Sequence, residues 1–394
     1  MKKFEKELLD FIGTKYIFLG FIFVTFLALI MRLCLFSYES HDYTVYLAKW
    51  FDYLKNNGNI MALGTYQGNY NAPYMTILAI LSYLPFKSLY IIKTVSIIFD
   101  FGLALSSAAL VKYLVPKNKK FYYFLTYSIM LFIPEIVLNS ALWGQCDAGY
   151  TMFIILAILY LLKEDYLKSF IFLGISYALK LQFVFILPLF IVIYFIKKKY
   201  TIWYFLIIPL VNFILCLPAI VVGKPIKDLL LVYFLQAAQY KDYISLNFLN
   251  IYGLIKGDGK ILHLFGVFTT MFVCLMMLCY LIYKKVNLNN KKILNLGLWF
   301  VVITTYLLPC MHERYLYVGC VLSVIYFITY KENYEIMLSI ILCSILTYFT
   351  YLFGVNLSSK DLVIIAYTII IGYYTKNLLL MLDDKKQINF LKEY

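Results

Sequence analysis

A chain of 394 residues with 63% apolar residues, 14% charged residues and a mean hydropathy of +0.81 excludes a soluble globular domain, whose surface needs far more polar cover. The 35 Lys and Arg against 21 Asp and Glu give a net charge of +14. The lysines sit in short loops between apolar runs, with no basic face carrying interleaved aromatics, and this argues against nucleic-acid binding. The composition therefore predicts an all-α, polytopic membrane helix bundle, one integral membrane domain over residues 1–394.

A basic opening stretch leads into an apolar run at about 16–36, too long for a signal-peptide core, and it reads as a retained first span. Arg32, near the end of this run, is expected to snorkel to the interface. Residues 37–72 form the first long loop. Within it Tyr43, Tyr46, Leu47, Trp50, Phe51 and Leu54 recur at helical spacing, which predicts an amphipathic helix over 43–56 lying in the membrane plane. Asp42 falls at or beside its N-cap, so capping and catalysis are both open for this carboxylate. His41 reads as a loop neighbour. The apolar segment 73–86 is too short for an untilted span and reads as a re-entrant or interfacial helix.

Further spans are expected at about 89–115, 121–138, 148–162, 167–180, 183–196, 201–222, 261–283, 293–309, 315–330, 336–353 and 362–382, making about 12 in all. Lys93 and Asp100 lie seven residues apart in the second span, on one face and roughly 10 Å apart along its axis. Both are read as structural intramembrane charges that face the bundle interior. The turn NSALWGQCDAGY (139–150) combines Asn139, Trp143, Gln145 and Asp147, either an ordinary interfacial turn or an aromatic platform with hydrogen-bonding groups suited to a sugar ring. ALKLQF (178–183) places Lys180 and Gln182 between two short spans, where Lys180 either snorkels or binds phosphate.

The loop 223–260 carries QYKDYISLNFLNIYGLI, whose Tyr243, Asn247, Asn250 and Tyr252 read either as glycan contacts or as the polar edge of an interfacial helix. PCMHERYLY (309–317) is the densest cluster, with His312, Glu313, Arg314 and Tyr315. The chain has only two arginines, Arg32 and Arg314, so Arg314 in a lysine-biased chain points to bidentate phosphate contact. His312, Glu313, Asp42 and Asp147 leave a divalent metal as an alternative that is not favoured. None of the eight cysteines has CxxC or metal-ligand spacing; Cys146 and Cys310 near loops leave a disulfide open.

Counting lysines places both termini inside: Lys2, Lys3, Lys6 and Lys15, then Lys117, Lys119 and Lys120, and at the tail Lys385, Lys386 and Lys392, fall on one side. The loops 37–72, 139–147, 181–182, 223–260 and 310–314 then share the outer face. Polar motifs crowded onto one face, without an internal repeat, argue against a transporter of lipid-linked sugar or polysaccharide.

In this order, HDY, KWFDYLKNNG, GNYNAPY, NSALWGQCDA, ALKLQ, SLNFLNIYGL and HERYLY resemble the bacterial mannosyltransferase-like proteins related to the eukaryotic PIG-V enzyme, GPI mannosyltransferase II, within the GT-C glycosyltransferases. The family's usual Pro-Pro appears here as Ala72-Pro73. The resemblance implies a multi-pass cell-membrane enzyme with a GT-C-like fold. It would take a sugar, mannose or another hexose, from a polyprenyl-phosphate donor to a hydroxyl of a glycan or lipid-linked acceptor of the cell envelope. Asp42 would be the base. Lys180 and Arg314 would hold the lipid phosphate, and Trp143, Gln145, Asp147, Asn247 and Asn250 would orient sugar or acceptor, with Asn71, Gln182, His312, Glu313 and Tyr315 completing the substrate site. No cofactor is implied. A lipid-linked polysaccharide polymerase or ligase differs from this reading only in its donor.

Overall fold

Prolines and small polar caps cut the apolar chain into helices, and the computed structural model describes residues 3–240, 243–255, 257–357 and 359–383. Lys2 and the tail lysines 385, 386 and 392 counted in the sequence, together with Lys241 and Asp242 of the QYKDY string, lie outside the described residues. Chain order gives α1 (Lys3–Cys34), α2 (Ala48–Asn56), α3 (Ala72–Leu81), α4 (Ser88–Leu114), α5 (Lys119–Phe132), α6 (Pro134–Val137), α7 (Asp147–Leu162) and α8 (Tyr166–Leu179). There follow α9 (Leu187–Lys197), α10 (Ile207–Val221), α11 (Ile226–Ala238), α12 (Gly259–Lys284), α13 (Asn290–Leu307), α14 (Tyr317–Tyr330), α15 (Tyr334–Phe353) and α16 (Lys360–Leu382). The described residues form no β-strand, only isolated bridges of Leu246 and Asn247 with His312.

Among the described residues six helices are long and apolar enough to cross a membrane, seven if the bent pair α5 and Pro134–Trp143 is counted as one span. The chain is therefore a membrane protein in its helical makeup. The pair bends by 55° because Ile133, before Pro134, is held extended (φ −62°, ψ 125°), as the residue preceding proline prefers. Among the described residues there are also five shorter apolar helices, with α3, α7, α8 and α14 among them. The segment expected to be short and interfacial is α3, started by Asn71, whose side chain accepts the Ala72 N–H at 2.9 Å, and by Pro73 in the first turn where no N–H is needed.

α4 is the central post, packed against α5, α7 and α14. One cluster of buried apolar side chains runs from Ala28 to Leu382. Phe18, Phe23 and Phe26 on α1 and Phe265, Phe268 and Phe272 on α12 are instead exposed, as lipid-facing surfaces require.

The buried charges differ from the sequence expectation in one respect. Arg32 does not snorkel: it is fully buried, its Nε donates to Asp100 Oδ2 at 2.9 Å, and its Nη1 donates to the carbonyls of Ala28 and Leu131. The pairing satisfies a charge that lipid would not tolerate, and the partner, 68 residues away, is invisible to local pattern. Asp100 Oδ2 also accepts Ser140 Oγ at 2.5 Å. Lys93 and Asp100 both face inward, but Lys93 is satisfied by carbonyls: its Nζ donates to Leu35 at 3.0 Å and Tyr38 at 2.6 Å, tying down the chain just before Asp42. All eight cysteines are free, so Cys146 and Cys310 form no disulfide.

Candidate active site

The amphipathic helix predicted over 43–56 is present in two pieces, a widened turn at Tyr43–Leu47 running into α2. Asp42 does not cap it. Its backbone is already helical (φ −62°, ψ −34°) and its side chain makes no cap bond; Ser40 Oγ accepts the Tyr43 N–H instead, at 3.2 Å. The carboxylate thereby turns inward. Trp143 Nε1 donates to Oδ2 at 3.0 Å, Gln145 Nε2 donates to the same oxygen at 2.8 Å, and Tyr351 OH donates to Oδ1 at 2.5 Å. Arg314 Nη1 stands 3.5 Å from Oδ2.

The two donors from 139–150 are placed by the turn itself. Gly144 has φ +83°, a left-handed conformation suited to glycine, and it reverses the chain between Trp143 and Gln145. Ser40 Oγ donates to the Trp143 carbonyl at 2.7 Å, so the strand of chain carrying Asp42 is sewn to the turn that holds it. Trp143 is fully buried, stacks on Tyr351 at 4.9 Å and meets Tyr348 edge-on. The Arg314 guanidinium lies 5.1 Å over its ring, a cation–π contact.

Asp147 opens α7, where a carboxylate favours the positive end of the helix. Its Oδ1 accepts Lys180 Nζ at 2.5 Å, Oδ2 accepts Asn139 Nδ2 at 2.7 Å, and Arg314 Nε lies 3.6 Å away. Lys180 also reaches Gln145 Oε1 at 3.5 Å and lies over the Tyr70 ring. Burial opposes the charge of Lys180, but the Asp147 carboxylate outweighs it and holds the lysine above its ordinary pKa. Arg314 is shifted upward in the same way: burial works against it, and Asp147, Asp42 and Glu313 overcome that. Burial pushes the Tyr315 phenol up to about 12.

Lys180 and Arg314 face a cavity of about 410 Å³ that Gln182, His312, Tyr315 and Asn71 also line, with apolar walls from Leu181, Val184, Val267, Leu308 and Met311. Asp42, Trp143, Gln145 and Asp147 lie behind these two cations and do not line it. Glu313 lies behind Arg314, fully buried, with Oε1 3.1 Å from Nη1. His312 packs edge-on against Tyr240 and Tyr315. Asn71 lines the cavity but is tied up structurally, its Nδ2 donating to the Ala178 carbonyl and to Asn212 Oδ1, both at 2.9 Å.

Two expected substrate contacts lie elsewhere. Asn250 is fully buried, accepts the Tyr252 N–H and donates to the Leu308 carbonyl, so it shapes its own loop. Asn247 is exposed, in a left-handed conformation (φ +68°), and bridges by its backbone to His312. Its residue type suits that backbone, since Asn tolerates φ > 0. Conversely, Tyr70, Tyr240 and Tyr351 belong to the site without any local sequence signal. Tyr70 OH donates to Gln145 Oε1 at 3.0 Å, and nothing marks it or Tyr351 among 39 tyrosines. Among the described residues no three His, Cys, Asp or Glu side chains converge to hold a metal ion; His312, Glu313, Asp42 and Asp147 do not form such a group.

The arrangement offers an oriented carboxylate with one cation, Arg314, beside it and a second, Lys180, on the neighbouring Asp147, amide and indole donors, and a cavity of mixed polar and apolar lining onto which both cations face. In comparisons with known proteins, no protein family, no curated protein and no solved structure matches the chain.

Proposed function

We propose that this chain is a membrane-embedded glycosyltransferase that moves a hexose from a polyprenyl-phosphate carrier onto a hydroxyl of a cell-envelope glycan, with inversion at the anomeric carbon. The observation that carries the reading is the buried Asp42 carboxylate, fixed by Trp143, Gln145 and Tyr351 and standing 3.5 Å from Arg314, the cation that together with Lys180 lines a cavity of mixed polar and apolar walls. A carboxylate held in this way suits a general base, and adjacent cations suit a departing phosphate.

In the step, an acceptor hydroxyl gives its proton to Asp42 and its oxygen forms a bond to the anomeric carbon. The bond from that carbon to the phosphate oxygen breaks, and the lipid phosphate leaves with the electron pair. Lys180 and Arg314 would stabilise it. Lysine has three donors and arginine five, more than Asp147, Gln145, Asp42 and Glu313 take up here, so both cations retain capacity for phosphate oxygens. The apolar walls suit the first isoprene units.

On this reading the long and short apolar helices make about twelve crossings of a GT-C-like bundle with both termini inside and the cavity facing out. The lysine distribution supports that orientation.

The test is mass spectrometry of envelope glycans and polyprenyl-phosphate sugars from cells making the wild-type protein or Asp42→Asn. Loss of one hexose from a glycan, with its lipid-linked monosaccharide accumulating, is the expected result. An unchanged glycan would overturn the reading, and a shift only in the leaflet occupied by lipid-linked sugar would mark a transporter.

A further inference from the structure

We propose that a second cavity, separate from the one above, is a subsite for a single neutral hexose unit of the acceptor. This rests on the transferase reading for the word acceptor, but the sugar site itself stands on its own lining. The cavity has a volume of about 190 Å³ and lies between residues 63–72 and α11, lined by Tyr66, Gln67, Asn69, Lys224, Asp228 and Gln239 among others.

Its chemistry selects against an anion. Lys224 is the single cation among the lining residues; it donates to the Tyr66 carbonyl and faces the Asp228 carboxylate at 3.9 Å. One cation and one carboxylate cancel, so no net charge is left to attract phosphate. What is left is amide: Gln67, Asn69 and Gln239 present donors and acceptors in the pattern that hydroxyls satisfy. Asn69 Oδ1 is buried without a hydrogen-bond partner, an acceptor that a sugar hydroxyl would complete. Tyr66 and Tyr70 add aromatic surface for the apolar face of a ring. The volume is below the roughly 300–1,000 Å³ that drug-sized ligands occupy, which fits one ring and not an oligosaccharide.

Its position ties it to the reaction. Asn69, Tyr70 and Asn71 line both cavities, so the wall between them is a single stretch of chain. Gln236 Nε2 donates to the Asn69 carbonyl at 2.6 Å and Asn69 Nδ2 to Gln239 Oε1 at 3.1 Å, latching that wall to α11. Tyr70 on the wall reaches Gln145, and Gln145 reaches Asp42. The second cavity is thus two hydrogen bonds from the proposed base.

The test measures binding without turnover. Full-length protein in lipid nanodiscs is titrated with methyl glycosides of mannose, glucose and galactose, and with inorganic phosphate, by saturation-transfer NMR and calorimetry. At least one hexoside is expected to bind in the millimolar range, and phosphate is not expected to compete for that site. Val232→Trp, which fills the cavity, and separately Asn69→Leu, which removes the unpartnered acceptor, should each weaken the hexoside at least tenfold, while Asp42→Asn and Arg314→Gln leave it within twofold. Absence of hexoside binding to wild-type protein overturns the proposal, as does binding that ignores both cavity variants or that disappears in Arg314→Gln. Failure of the transferase reading looks different: glycans unchanged by Asp42→Asn while Val232→Trp still abolishes hexoside binding.

Discussion

Tyr351 on α15 donates a 2.5 Å hydrogen bond to Oδ1 of Asp42 while its ring stacks on Trp143, whose indole N–H holds Oδ2. The two residues are 309 positions apart, and their contact ties a C-terminal helix to the first loop. Tyr351→Phe keeps the stack and removes one bond to a charged acceptor, a change worth about 1.5–3 kcal/mol. If the orientation of Asp42 sets the rate, transfer should fall roughly ten- to a hundredfold with the thermal midpoint nearly unchanged. Sugar transfer by purified protein checks this, and a Phe variant at full rate would remove Tyr351 from the site.

Lys180 and Asp147 form the most deeply buried ion pair of the site, at 2.5 Å with side chains 8% and 3% exposed. Removing Lys180 leaves Asp147 in a desolvated place with only Asn139 and the more distant Arg314 Nε as partners, so Lys180→Met should destabilise the protein, at most by the loss of about 3–5 kcal/mol that breaking a buried pair brings. The double variant Lys180→Met with Asp147→Asn should recover most of that stability in a thermal scan. It should not recover full transfer, because Arg314 is then the one cation of the two left to face the leaving phosphate. Recovery of both would reduce Lys180 to a structural partner.

How far the sequence could be read depended on where each residue found its partner. Asp42, Trp143, Gln145, Asp147, Lys180 and Arg314 stood out because each is polar in or beside a loop between apolar runs, and the structure brings all six together. Arg32 was misread because its partner Asp100 lies on another helix, and local pattern shows only a cation near a span end. Asn247 and Asn250 looked like sugar contacts, yet their turn-forming chemistry is used by their own backbone. Tyr351 sits inside a span where tyrosine is common, so only the fold reveals its role. The helix count was harder for a physical reason: α7, α8 and α14 are apolar but short, and length alone does not separate a tilted span from a buried core helix.

The Lys180 pair also fixes a pH dependence. Burial lowers the lysine and Asp147 raises it by more, so its folded pKa lies above the ordinary value of about 10.4. A group raised on folding contributes fully below its unfolded pKa and loses that contribution as pH climbs through the folded one. The stability gap between wild-type protein and Lys180→Met should therefore hold constant from about pH 6 to about pH 9 and narrow only beyond about pH 10. Thermal unfolding of both proteins across that range checks the sign; a gap that closes between pH 7 and pH 9 would contradict it.

Arg314 is the one residue that touches every acidic group of the site: Nη1 lies 3.5 Å from Asp42 and 3.1 Å from Glu313, Nε lies 3.6 Å from Asp147, and the guanidinium covers Trp143. A planar fork can meet three carboxylates and an indole at once, and an ammonium cannot. Arg314→Lys keeps the charge and loses that geometry. If the fork also cradles the leaving phosphate, transfer should drop roughly 10²–10³-fold, the loss typical of removing one donor aimed at developing charge. The lysine variant should remain folded, because the charge still offsets the carboxylates. Steady-state transfer with a lipid-linked donor, beside a thermal scan of the same preparation, separates the two effects. A lysine variant with wild-type kinetics would show that only charge is needed there, and would move phosphate recognition to Lys180 alone.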